Sequence, residues 1–217
     1  MSRATYIAGS GLLCALGSSG AAVADALWAG ENGNGSRRLG ERDFPYFGLP
    51  LVETEWLARA ESAVRCVAGQ LGEIAPETPL FIASSSFQIG HFEQQGTPLD
   101  LPFTAASFSC QIAEWLELSG PRASFSNACI SGFSALDAAR SLIGAGQIDE
   151  AIVLGIELSN GSTLAGFAGM ELLSRQRCRP FDAERDGLVL GEAVAAVHLS
   201  ARPSRWRIAG LRTGIDA

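Results

Sequence analysis

Residues 123–145 read ASFSNACISGFSALDAARSLIGA, a strand-like run broken by one short turn into a helical one. Ala123–Ser126 has the length and composition of a short strand. It stops at Asn127-Ala128, and a helical pattern opens at Cys129 and runs to Ala145, closed by Gly144 and Gly146. A strand feeding straight into a helix is the building unit of a helix-covered parallel sheet. A thiol at the first turn of that helix meets the positive end of the macrodipole and unspent backbone N–H groups. Both favour the thiolate, which is the nucleophilic form. Gly132 has no side chain to keep a substrate or another backbone away. Cys129 is therefore the candidate nucleophile. The other cysteines, Cys14, Cys66, Cys110 and Cys178, read as small buried hydrophobes.

On either side, strand and helix signals alternate. Thr5–Ala8 is a short strand that enters a Gly9-Ser10-Gly11 turn, and Ala21–Ala29 is a helix. Gly30–Pro50 is rich in Gly, Asn, Arg and Pro and reads as a surface loop. Trp56, Leu57, Ala60, Ala63, Val64, Val67 and Leu71 fall at helical spacing, with Thr54 placed to cap the helix. Pro79–Ala83 is a strand ending in Ser84-Ser85-Ser86, and residues 87–103, with Gly90, Gly96, Pro98 and Pro102, read as irregular. Ala105–Leu118 and Leu164–Leu173 are helices. Glu150–Gly155, Gly191–Leu199 and Trp206–Leu211 are strands, the first two apolar enough to be covered on both faces. This pattern predicts one α/β domain over residues 1–217, with a mixed, mostly parallel, five-stranded sheet covered by helices.

Composition narrows the function. Sixteen basic residues, all Arg, against twenty-three acidic ones give a net charge of −7, which argues against a general nucleic-acid binder. Charged residues are 18% of the chain, below the roughly 25% of an average soluble domain, so some surface is expected to be hidden, either in a large core or against a partner. Five widely spaced cysteines without a CxxC fit neither a zinc site nor a disulfide scaffold and suit reduced thiols in the cytoplasm. Arg3 and the apolar stretch after it superficially suggest a signal peptide, but the glycines between Gly9 and Gly20 break the run. No apolar run reaches the roughly 18 residues of a membrane span. A dinucleotide fingerprint fails because Cys14 stands where its third Gly belongs. A calcium loop beginning at Asp182 fails because Ala193 stands where its bidentate Glu belongs. No metal and no cofactor are expected.

Three segments carry a family resemblance. SNACISGFSALDAARSLIGAG (residues 126–146) resembles the nucleophile segment of β-ketoacyl-acyl-carrier-protein synthases. CRPFDAERDGLVLGEAVAAVHL (178–199) is similar to their second signature, and IAGSGLLCALG (7–17) to their opening strand. The resemblance implies the first half of a thiolase-like domain, with Cys129 at the place of the acyl-accepting cysteine. It also implies that the strand Ala123, Ser124, Phe125 and Ser126 pairs across a dimer axis. The family's condensing chemistry adds two histidines from its second half, and this chain ends at Asp216-Ala217, before that half. The two histidines present, His91 and His198, match neither: His198 reads as structural and His91 as a surface residue. By this resemblance the chain is expected to be a non-condensing partner of a full-length ketosynthase, acting in fatty-acid or polyketide assembly as a chain-length factor does, aryl-polyene systems included. The alternative is an acyltransferase, or a condensing subunit whose missing groups come from its partner. An acidic acyl carrier protein would need local basic clusters on this acidic chain. Arg175, Arg177 and Arg179 form the expected docking cluster, and Arg37, Arg38 and Arg42 form another.

Overall fold

A computed structural model describes residues 3–33, 35–97, 101–212 and 214, and of residues 101–104 it describes the backbone. Asn34, Pro98 and the terminal Asp216-Ala217 lie outside the described residues. In chain order the elements begin with β1 (Tyr6–Cys14), α1 (Gly20–Trp28), β2 (Ser36–Leu39), β3 (Arg42–Phe47) and α2 (Trp56–Ala68). They continue with β4 (Leu80–Ala83), α3 (Ile89–Gln95), α4 (Leu101–Trp115), β5 (Arg122–Phe125) and α5 (Ser131–Gly144). The last are β6 (Glu150–Glu157), α6 (Gly161–Gly169), β7 (Leu190–Gly191), β8 (Ala193–Ser200) and β9 (Trp206–Arg207).

The main sheet has six strands in the order β5-β4-β6-β8-β1-β9. The α/β, helix-covered, mixed sheet matches expectation; the five strands and the mostly parallel order do not. Only β5-β4 and β4-β6 are parallel, whereas β6-β8, β8-β1 and β1-β9 are antiparallel. The cause is the path of the segment after β6. Glu157, the last residue of β6, pairs with Ala193, the first of β8. The connection therefore stays at one end of the sheet, and the chain re-enters from the end it left, reversing direction.

Local chemistry explains the other departures. β1 runs straight through Gly9-Ser10-Gly11, where a turn is predicted. A Cβ at Gly9 or Gly11 would collide with the carbonyl oxygens of Leu71 and Val67, so these glycines let α2 lie hard against the strand. The predicted stripe of α2 is buried at Trp56, Ala60, Ala63, Val64 and Val67, but its cap is Glu55, whose carboxylate accepts the Ala58 N–H at 2.7 Å, not Thr54. The stretch read as a loop holds the β2-β3 hairpin, joined to β7 in a small second sheet. Pro45 between Phe44 and Tyr46 hides the alternation there. Residues 89–95 form α3. Helix α5 starts at Ser131, two residues beyond Cys129, and α6 covers Gly161–Gly169 instead of Leu164–Leu173. Trp206–Leu211 contributes only two residues to the sheet.

Two apolar layers flank the main sheet. On one face α2 and α4 bury Val64, Val67, Phe108 and Ile112 against Leu13, Ile82, Ile152 and Leu154. On the other, Ala135, Ala139 and Ile143 of α5 pack on Phe81, Ala83, Ala151, Val153 and Leu199. Each fully buried Leu or Ile adds about 1.5–3 kcal/mol. Helix α5 covers β4, β5 and β6 but leaves the same face open farther along. Ser10, Ala193 and Ala195 are exposed there beside half-buried Gly155. Among the described residues no helix is long and apolar enough to cross a membrane, and no group of His, Cys, Asp or Glu is placed to hold a metal ion.

Candidate active site

Cys129 sits in the turn between β5 and α5. The turn is held by its own backbone and hydroxyls. Ser131 Oγ donates to the Ala128 carbonyl at 2.7 Å and accepts the Asn127 N–H at 2.7 Å. The N–H groups of Ile130 and Ser131 close on the carbonyls of Asn127 and Ala128. Ala128 adopts φ 47°, a left-handed conformation uncommon for a residue with a side chain. The outcome is an exposed cysteine two residues ahead of the helix, not inside its first turn.

That thiol borders a cleft of about 690 Å³ at the C-terminal ends of β4 and β6. Gly155, Ala193 and Ala195 line it from the sheet, and Leu164, Phe167 and Met170 line it from α6 and the residue after it. Gly132 also lines it and has nothing within 4 Å of where a Cβ would stand, so the space expected at this glycine is present. A thiol at the mouth of an apolar cleft can accept an acyl group from a thioester, its sulfur adding to the carbonyl as the donor thiol departs. Neither imidazole lines the cleft. His198 is buried on the opposite face of β8, bonded through Nε2 to Glu150 at 3.1 Å. His91 packs against Trp56 and Phe92, half-buried instead of on the surface. Of the cysteines read as buried, Cys110 is exposed, and Cys14, Cys66 and Cys178 are half-buried.

Several side chains that the sequence does not connect to Cys129 hold the elements bordering the cleft. Helix α6 is fixed by Asn160, whose side chain accepts the Thr163 N–H at 2.7 Å. Glu93 of α3 adds to this, accepting from the N–H groups of Gly161 and Ser162 at 2.6 and 2.8 Å and from the Ser162 hydroxyl at 2.6 Å. Partial burial would raise the Glu93 carboxyl, but these donors hold it below the ordinary range. Tyr46 of β3 reaches the cleft from the hairpin; burial first, and then the Glu192 charge, keep its phenol protonated. Glu192 is tied to three segments. It accepts from Leu49 N–H at 2.9 Å, Ser159 N–H at 3.1 Å and the Arg59 guanidinium at 2.6 Å. Its sequence signal is the Gly191-Glu192 pair inside the second resembling segment, which by itself names no partner for the carboxylate.

The predicted docking cluster is split. Arg175 and Arg177 are exposed, while Arg179 is mostly covered and pairs with Glu184 at 3.5 Å. In the second cluster Arg37 stacks over the Tyr46 ring at 5.6 Å. The predicted interface strand is an edge of the main sheet. Ser124 and Ser126 are exposed, and Phe125 stacks on Phe81 at 6.1 Å between centroids.

The chain is similar to known proteins. Residues 73–203 match the model of the beta-ketoacyl synthase N-terminal domain. The hybrid PKS-NRPS synthetase TAS1 of Cordyceps militaris is 36% identical over 157 residues, 69% of this chain and 10% of that protein. The 3-oxoacyl-acyl-carrier-protein synthase 2 of Rhizobium meliloti is 38% identical over 91 residues, 38% of this chain and 22% of that one. Among solved structures, the ketosynthase ApeO in complex with its chain length factor ApeC from Xenorhabdus doucetiae superimposes with a TM-score of 0.77 at 21% identity. The match covers 93% of this chain and 59% of that one, and shows a shared fold. The chain thus spans only a fraction of the relatives it matches. On the family match across more than half its length, the chain belongs to the β-ketoacyl synthase family.

Proposed function

We propose that this chain is a non-condensing, ketosynthase-like subunit that heterodimerises with a full-length β-ketoacyl-acyl-carrier-protein synthase in fatty-acid or polyketide assembly, aryl-polyene assembly included. The observation that carries the proposal is the cleft at Cys129, which holds no imidazole among the described residues and whose floor continues into the open face at Ser10, Ala193 and Ala195. An apolar shelf of that kind calls for a covering partner. The free edge of β5 beside the Cys129 turn supplies a place for strand pairing. That a protein of similar fold was solved as a ketosynthase with its chain length factor supports this assignment. In this role the subunit stabilises its partner and shapes the acyl pocket near the shared interface. Acyl carrier protein reaches the pair through local positive charge, for which Arg175 and Arg177 are the exposed residues.

Co-expression with the full-length ketosynthase of the same host, followed by native mass spectrometry, tests the proposal. A one-to-one complex is the expected result. A chain that stays monomeric or homodimeric beside an abundant ketosynthase overturns it. A second role, acyl transfer through Cys129, is favoured by the exposed thiol on an apolar cleft. Under that role Cys129→Ala abolishes labelling of the chain by an acyl thioester, whereas the purely stabilising role leaves complex formation and partner activity intact in the same variant.

A further inference from the structure

Phe87 at φ 43° and Ala128 at φ 47° are among the residues with side chains that hold left-handed backbone. Such conformations persist only where the surroundings over-determine them, and they gather at functional sites. One connected set of hydrogen bonds holds both. The Glu157 carboxylate, at the end of β6, accepts from the hydroxyls of Ser84 and Ser86 at 3.2 and 2.6 Å and from the Ser85 N–H. Ser84 Oγ accepts the Phe87 N–H at 2.7 Å, fixing the first strained residue. The Ser85 hydroxyl donates to the Ala128 carbonyl at 3.3 Å, the same carbonyl that Ser131 holds from the helix side. Ser85 and Glu157 line the cleft together with Ala128 and Cys129.

We propose that Glu157 and Ser85 are positioning residues for the Cys129 thiol. The carboxylate sets the 84–87 turn, and the hydroxyl of that turn holds the Ala128 peptide so that the neighbouring thiol faces the cleft. With three donors on its oxygens, Glu157 acts as an anchor and not as a base. The inference rests on Cys129 as the working thiol of the proposed function, but its test needs neither partner nor acyl donor.

The test compares alkylation of Cys129 by chloroacetamide and by N-octyl chloroacetamide, with the Cys129 and Cys110 peptides followed separately by mass spectrometry. A thiol held toward an apolar cleft reacts faster with the octyl reagent, whereas exposed Cys110 serves as an internal reference. Ser85→Ala removes an exposed hydroxyl and leaves folding intact. It is expected to lower the octyl preference at Cys129 three- to tenfold with no change at Cys110, and Ser85→Thr is expected to restore it. Glu157→Ala is expected to lower it at least as much, while Glu157→Gln, which keeps an acceptor for the turn, stays within threefold of the parent. If Glu157→Ala does not fold, the Ser85 pair decides. A parent preference near one, or an unchanged or larger preference in Ser85→Ala, overturns the proposal.

Discussion

Glu192 lies almost wholly out of water, with its side chain 3% exposed, yet it is charged. Burial would raise its carboxyl, but the N–H groups of Leu49 and Ser159 and the Arg59 guanidinium together hold it below the ordinary carboxylate range. That depression sets the sign of the linkage. The stability Glu192 contributes is in full force above its unfolded value of about 4.3 and is lost as pH falls through the lower folded value. Glu192→Gln is therefore expected to flatten the acid limb of the Tm-versus-pH curve as pH falls below about 4.3; parallel curves for parent and variant would refute the assignment. Truncation to Ala leaves Arg59 buried without its carboxylate. The expected cost is about 3 kcal/mol by urea unfolding, at the low end for a broken buried pair. Arg59 keeps the carbonyls of Leu51 and Glu53, which limits the loss.

At the scale of elements, glycine placement separates packing from function. Gly11→Ala puts a methyl group into the backbone of α2 and is expected to cost about 1–3 kcal/mol, visible in denaturant midpoints. Gly132→Ala meets nothing, so unfolding is expected within about 0.5 kcal/mol of the parent or slightly more stable. The same contrast shows what is legible in the chain. The stripe of α2, the apolar strands β4, β6 and β8, and the strand-turn-helix around Cys129 can be read because one period dominates each segment. Gly9-Ser10-Gly11 reads locally as a turn because the true requirement comes from a helix some sixty residues later, invisible to a local pattern. The antiparallel half of the sheet is hidden for a related reason. Alternating strands and helices do not reveal at which end a long connection stays, and Glu157 opposite Ala193 settles that. Cys129 and Gly132 stand out from their own turn, whereas Glu157 and Tyr46 reach the cleft from separate elements and share no spacing with it.

For the whole molecule, the open shelf and the free β5 edge make assembly the property to test. Ser124→Lys places a charge on an exposed edge position. It is expected to leave the Tm within a few degrees while weakening the complex with a ketosynthase at least tenfold, read by titration calorimetry. Unchanged affinity would move the interface away from β5. The antiparallel pairing of β1 has a different kind of consequence. Both flanks of this first strand are supplied by the last ones: Tyr6 lies opposite Ser200 on one side and Arg207 on the other. During synthesis β1 leaves the ribosome about 190 residues ahead of the strands that flank it. At ~5–20 residues per second, the opening strand waits roughly 10–40 s for a place in the sheet. Throughout that interval the strand has neither of its native hydrogen-bonding partners.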